Sequence, residues 1–327
     1  HNVVQMKRIA MKKQIVIIVL IVFNLFFLLF QLFDKSCSIK ILNMEGEFYP
    51  FSLVADDEYI YFIGIEYDWN GQVQRSQIYQ AKKGESQPWI VEIKPPDNML
   101  FYSIYVNSDK KLYAFLCDDQ NRKCEIWELS QDKKVIKKTD ITHVISQSDM
   151  YGIAAFAVDN EGKYYLREYL GNETIVLEEN GIELCRIEDG DREFHCLGCA
   201  KNGMMYILFG IPQMRPDQIE IDSINIIQKS LDMESTGDFL PVDDMYSVLE
   251  AGEKCDFLIR GMRGAYQYNL GEEKSRKIIN SFHIDQFKYN SSTSCFLNDN
   301  ELLMIAKRQH IGDTVWKDDV KFCYYAY

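Results

Sequence analysis

Residues 154–169 read AAFAVDNEGKYYLREY. An apolar run enters an Asp-Asn-Glu-Gly turn and an aromatic-rich run leaves it. That is the pattern of a β-hairpin, whose turn residues tolerate positive φ or bond their own backbone. The strand residues on both sides are apolar almost without alternation, which suits a sheet covered on both faces.

The figure recurs about every 45–50 residues, a spacing that marks repeat architectures. It appears at 51–64 (FSLVADDEYIYFIG), 102–117 (YSIYVNSDKKLYAFLC), 197–210 (LGCAKNGMMYILFG), 246–261 (YSVLEAGEKCDFLIRG) and 294–309 (SCFLNDNELLMIAKRQ). Each hairpin is followed by a third apolar run and usually a fourth, as in QIYQA at 77–81 and PWIVEI at 88–93. Four strands per repeat at a steady period predict an all-β fold, a β-propeller with four-stranded blades. A β-sandwich also strings short strands between turns, but it predicts no such period. Six hairpins predict six blades, with five or seven as alternatives because the fourth repeat is irregular. The sixth repeat is one strand short. The run SIKILN at 38–43 belongs to no hairpin and is expected to supply the missing outer strand, which would remove two exposed edges.

Ahead of that strand, residues 15–33 read IVIIVLIVFNLFFLLFQLF, with Asn24 and Gln31 as the only polar side chains. As a helix this run spans roughly 28 Å, close to the hydrocarbon thickness of a bilayer. Lys7, Arg8, Lys12 and Lys13 precede it, and positive charge stays on the cytoplasmic side. The chain is therefore expected to divide into a cytoplasmic basic N-terminus (1–14), a transmembrane signal anchor (15–33) and an extracytoplasmic propeller (38–327). The run is longer than a cleaved signal peptide, so an uncleaved single-pass anchor in the cell membrane is expected, with lipidation of Cys37 as the alternative. Met6 and Met11 are alternative starts for a chain that begins at His1.

A net charge of −13 and a pI near 5.0 argue against nucleic-acid partners, because phosphate affinity comes from clustered Lys and Arg. Nine cysteines are scattered rather than framed. Cys117 and Cys124 bracket a loop in FLCDDQNRKCEIW and face one another if it is a hairpin. They read either as a disulfide or as two strand thiols packed as small hydrophobes.

Signatures of chemistry are sparse. His195, Cys196 and Cys199 resemble a metal half-site, but no second pair of ligands accompanies them, and no metal or cofactor is expected. No G-x-S-x-G and no Gly-rich phosphate loop occurs. Asp159-Asn160-Glu161-Gly162 lacks the alternating oxygen ligands of a calcium loop and reads as a hairpin turn. The connections between second and third strands are long at 66–75, 211–222 and 310–318. In a six-bladed ring the first and last repeats are neighbours, which would gather Tyr67, Trp69, His310 and Trp316 on one rim. Exposed aromatics suit sugars or protein partners; the alternative reading is that Trp69 and Trp316 merely staple their own loops.

One blade carries a family likeness. Residues 255–285, CDFLIRGMRGAYQYNLGEEKSRKIINSFHID, resemble the propeller-like N-terminal region of extracellular solute-binding proteins of Gram-positive anaerobes. The matching positions are Asp256, Phe257, Gly264, Tyr266, Tyr268, Leu270 and 277–279. The resemblance implies export and an extracellular propeller. Those proteins continue into a two-lobed solute-binding domain, which this sequence does not contain, so the role of that domain does not carry over.

These readings converge on a membrane-anchored extracytoplasmic propeller that binds a cell-surface protein or glycan. The alternatives are a propeller enzyme, a glycan or peptide hydrolase or lyase with carboxylates at the central channel, and a truncated relative without function.

Overall fold

The computed structural model describes residues 37–40, 49–67, 73–83, 89–91, 93–118, 122–130, 132–145, 153–168, 171–199, 204–210, 218–227, 230–241, 257–261, 264–269, 276–280, 289–298, 301–308 and 320–326. The chain there is all-β and forms a propeller. Among the described residues no helix is long and apolar enough to cross a membrane; residues 15–33 lie outside them.

The strands fall into six antiparallel sheets. Sheet one holds β2 (Tyr49–Ala55), β3 (Tyr59–Tyr67), β4 (Val73–Lys82) and β5 (Trp89–Ile90). Sheet two holds β6 (Leu100–Val106), β7 (Leu112–Asp118), β8 (Lys123–Leu129) and β9 (Val135–Asp140). Sheet three holds β10 (Ile153–Val158), β11 (Tyr164–Glu168), β12 (Glu173–Leu177) and β13 (Glu183–Glu188). Sheet four holds β14 (Glu193–Cys199), β15 (Met205–Gly210), β16 (Gln218–Ile227) and β17 (Ser230–Pro241). In sheet five β18 (Phe257–Gly261), β19 (Gly264–Tyr268) and β20 (Arg276–Asn280) are described. They match the second to fourth strands of the fifth repeat, whose first strand lies outside the described residues.

The last sheet has the order β1–β23–β22–β21, from β1 (Cys37–Lys40), β21 (Tyr289–Asn298), β22 (Glu301–Arg308) and β23 (Val320–Ala326). Ser38 sits opposite Tyr324 and Ile39 opposite Cys323. A strand from the beginning of the chain thus forms the outer edge of a sheet otherwise built from its end.

The first strands are neighbours in the succession β21, β2, β6, β10 and β14, so each sheet meets the next along its innermost strand. Burial follows from that stacking. All seven residues of β7 are buried. Leu112, Ala114 and Leu116 pack with Tyr61, Ile63 and Ile78 of sheet one. Tyr113, Phe115 and Cys117 pack with Val158, Tyr164 and Leu166 of sheet three. Alternate side chains point to opposite faces of a strand, and here both faces are core. A third apolar layer joins Tyr165, Val176 and Ile187 to Leu197, Ile207 and Phe209.

Two expected loops are shorter than the sequence suggested. Pairing between β3 and β4 extends to Tyr67 opposite Val73, so 68–72 connects them instead of 66–75. Strand β16 begins at Gln218, inside the expected loop 211–222. The alternating QIEI there is strand-forming, and Ile219 and Ile221 are β-branched.

Candidate functional site

Two opposed faces follow from the strand order. The turns between first and second strands (56–58, 107–111 and 159–163) mark a turn face. The connections from one sheet to the next, such as 91–99 and 189–192, lie at the other end, the crossover face. Connections between second and third strands share that second face.

The turns are held by one repeated device. Asp56 Oδ1 accepts the backbone N–H groups of Glu58 and Tyr59 while Oδ2 accepts the Tyr61 hydroxyl at 2.7 Å. Asp159 repeats this with the N–H groups of Glu161 and Lys163 and the Tyr165 hydroxyl at 3.1 Å. Asn107 takes the equivalent place in sheet two. Its Oδ1 accepts Lys111 N–H, and its Nδ2 donates to the Asp159 carbonyl of the next sheet. The side chains bond their own backbone, which stabilises tight turns. Burial and the neighbouring carboxylates push the Tyr61 and Tyr165 hydroxyls far above the ordinary range, so both stay protonated donors.

The innermost strands share a second feature. Pairing slips by a β-bulge between Phe51 and Val54, Phe101 and Ser103, Ile153 and Ala155, Phe194 and Cys196, and Ser291 and Thr293. Five inner strands therefore carry a bulge, in the crossover-face half of β6, β10, β14 and β21 and mid-strand in β2, and β21 carries a second toward the turn face between Phe296 and Asn298. Bulges bend a strand and re-aim side chains, and they collect at barrel rims and beside active sites. Ser52 sits in the first of them with φ of 49°. Its hydroxyl accepts Ile104 N–H at 3.0 Å and donates to the Ile104 carbonyl at 3.2 Å, linking two inner-strand edges that have no ladder partner on that side. Ser103 is half-buried, and Ala154 is exposed. Small and polar groups thus line the axis at this level.

Toward the turn face one side chain spans three successive inner strands. Cys199 N–H on β14 donates to the Tyr105 hydroxyl of β6 at 3.3 Å. Sheet three lies between those strands, so Tyr105 reaches past β10, packing edge-on against Phe156 with ring centres 6.3 Å apart.

A charged ladder spans sheets three and four. Arg167 and Asp189, both about 5% exposed, form a two-pronged pair in which Nη1 donates to Oδ1 at 2.7 Å and Nη2 to Oδ2. Arg167 also donates to the Gly171 carbonyl and lies 4.7 Å from the Phe194 ring centre. Arg192 donates to the Asp189 carbonyl and to Asp222 Oδ2 at 2.6 Å, and stacks on Phe209 at 3.8 Å. Planar guanidinium groups suit this double role of ion pair and ring stack. Among the described residues the buried Asp222 Oδ1 and Thr174 Oγ1 have no hydrogen-bond partner.

Cys117 and Cys124 stand directly opposite one another on β7 and β8 and are joined as a disulfide, with Cα atoms 4.3 Å apart. Tyr67 ends β3, and its side chain lies outside the described residues, as do Trp69, His310 and Trp316. His195 and Cys196 fall in β14 without described side chains, while Cys199 is buried. Among the described residues no group of three His, Cys, Asp or Glu is placed to hold a metal ion. Burial pushes the Cys199 thiol up to about 11 and raises that of Cys185 as well, which disfavours the nucleophilic thiolate at neutral pH.

Sequence reading missed the bulges, the Ser52 bridge and the Arg–Asp ladder. The turn device had a signal, Asp or Asn five or six positions before Tyr at 56/61, 107/113 and 159/165.

No family model matches the chain, and no curated protein matches it. Solved structures do. Virginiamycin B lyase from Staphylococcus aureus aligns with a TM-score of 0.51 at 10% identity, over 89% of this chain and 100% of that one. A streptogramin B lyase aligns at 0.52 and 9% identity, over 89% and 98%. YCF48 bound to a D1 peptide aligns at 0.51 and 10%, over 88% and 81%. At such identities the likeness is one of fold.

Proposed function

We propose that the chain is a membrane-tethered, extracytoplasmic binding module: a six-bladed ring whose crossover face recognises a cell-surface protein or glycan. The observation that carries this reading is the asymmetry along the axis. Four inner strands bulge in their crossover-face halves and β2 bulges mid-strand, while nearer the turn face Tyr105 of β6 bridges past β10 to β14. The second-to-third-strand connections that hold Trp69 and Trp316 belong to that same crossover face.

The six sheets and the pairing of β1 with β23 support a single closed ring. The cross-strand disulfide supports an oxidising compartment, since such bonds persist outside the cytosol. It agrees with the basic residues ahead of 15–33, which favour export of the propeller, and with the likeness of 255–285 to exported propellers. YCF48, of similar fold, was solved with a bound peptide, which makes a peptide-bearing partner a reasonable first probe.

The test is a glycan array and a surface-protein pull-down with the full chain in detergent, beside the Trp69→Ala/Trp316→Ala variant. The reading expects saturable binding that falls at least tenfold in the variant. Undiminished binding removes the aromatic rim, and turnover of a captured glycan or peptide would favour the enzyme alternative.

A further inference from the structure

We propose that the turn face of the propeller lies against the lipid headgroups and the crossover face points away from the membrane. This rests on the reading of residues 15–33 as the anchor.

The direction of one short strand carries the inference. In each sheet whose first strand is described, that strand runs from the crossover face to the turn face, and successive strands alternate. Strand β23, third in its sheet, therefore runs toward the turn face. Strand β1 pairs with it antiparallel, Cys37 opposite Tyr325 and Lys40 opposite Phe322. The chain must enter β1 at the turn face and run upward. Strand β21 is the neighbour of β2, so the last sheet takes its place in the same succession of inner strands as the others.

Chain reach then sets the distance. Only Asp34, Lys35 and Ser36 separate Phe33 from Cys37. Four peptide steps, fully extended, cover roughly 14 Å. The headgroup layer on one side of a bilayer is about 5–7 Å thick, so the start of β1 sits within, or just outside, that layer. A strand of seven residues rises about 23 Å, which carries the crossover face clear of the lipid. The same entry point applies if a lipid on Cys37 were the tether. The consequence is functional: the crossover end of the inner strands faces outward, where a partner on another surface can reach it.

The test uses the full chain in phosphatidylcholine vesicles with a photo-crosslinker on one sheet at two heights, Asp57→p-benzoylphenylalanine on the turn face and Asp97→p-benzoylphenylalanine on the crossover face. Both positions are exposed. Flotation on a density gradient is measured first, and lipid adducts after irradiation are counted by mass spectrometry. The expected result is that both variants float and that the residue-57 variant yields at least fivefold more lipid adduct. Floating protein with equal yields, or an excess at residue 97, overturns the orientation and leaves the anchor standing. Protein that does not float defeats the anchor and the orientation together.

Discussion

Single hydroxyls and carboxylates do much of the work of joining sheets. Ser52 satisfies both backbone groups of Ile104 from a neighbouring sheet, and a buried donor or acceptor left unmade costs about 1–3 kcal/mol. Ser52→Ala is expected to lower unfolding stability by that amount in urea titrations, with the slope unchanged. Arg192 poses a sharper case. Its partner Asp222 is buried and already has one oxygen without a hydrogen bond. Arg192→Ala would strand that charge at a cost of about 3–5 kcal/mol, whereas Arg192→Met/Asp222→Leu should recover much of the loss. A double variant no more stable than Arg192→Ala would contradict this. Acid sensitivity has its own residues. Hydrogen bonds from Thr142 hold Asp140, and those from Lys137 and Arg186 hold Glu179 and Glu183, below the ordinary carboxylate range. A depressed carboxylate contributes stability above its unfolded value near pH 4, and that contribution is lost as pH falls through the folded value. The thermal midpoint should therefore hold from pH 7 to about 5 and drop below about 4, less steeply in Glu179→Gln/Glu183→Gln.

Whole elements lean on the preceding sheet in a regular way. Lys133, in the turn after β8, lies over the Tyr61 ring at 4.4 Å and pairs with Asp56. One sheet on, Glu179 pairs with Lys137 while its carbonyl accepts the Thr139 hydroxyl. Gly181 completes that second turn at φ +86°, and an added Cβ would stand 2.9 Å from Thr139 Cγ2 and 3.1 Å from the Asp140 carbonyl. Gly181→Ala is expected to cost about 1–3 kcal/mol from backbone strain alone, seen as a lower midpoint in denaturant. The β7–β8 disulfide closes a loop of about eight residues, and the chain-entropy relation gives about 2.5 kcal/mol for it. Cys117→Ser/Cys124→Ser should lose roughly that much, and reduction of the parent protein should reproduce the loss. The sequence showed these elements unevenly. Hairpins were legible because strands such as β7 are apolar on both faces and their turns are rich in Asp, Asn and Gly. Bulges were not, since one extra residue in a strand alters neither composition nor period. Arg167, Asp189 and Asp222 gave no signal, because a buried ion pair has no local signature. The loops at 66–75 and 211–222 were overestimated because polar residues such as Gln74 and Glu220 obscured strand pairing at their ends.

At the scale of the molecule, the ends of the chain decide the architecture. A strand from residues 37–40 covers the edge of the last sheet, joined by backbone hydrogen bonds to residues 322–325, and this pairing is what would close the proposed ring. The same strand fixes which face meets the membrane in the proposed orientation. The most direct test is a single substitution. Ile39 lies opposite the native Cys323, whereas Lys40 lies opposite Phe322, and neighbouring strand residues face opposite sides of the sheet. Under mild oxidation, Ile39→Cys is expected to form a disulfide with Cys323, identified by peptide mapping, and Lys40→Cys is not. Equal and negligible crosslinking to Cys323 in both variants would contradict the closure.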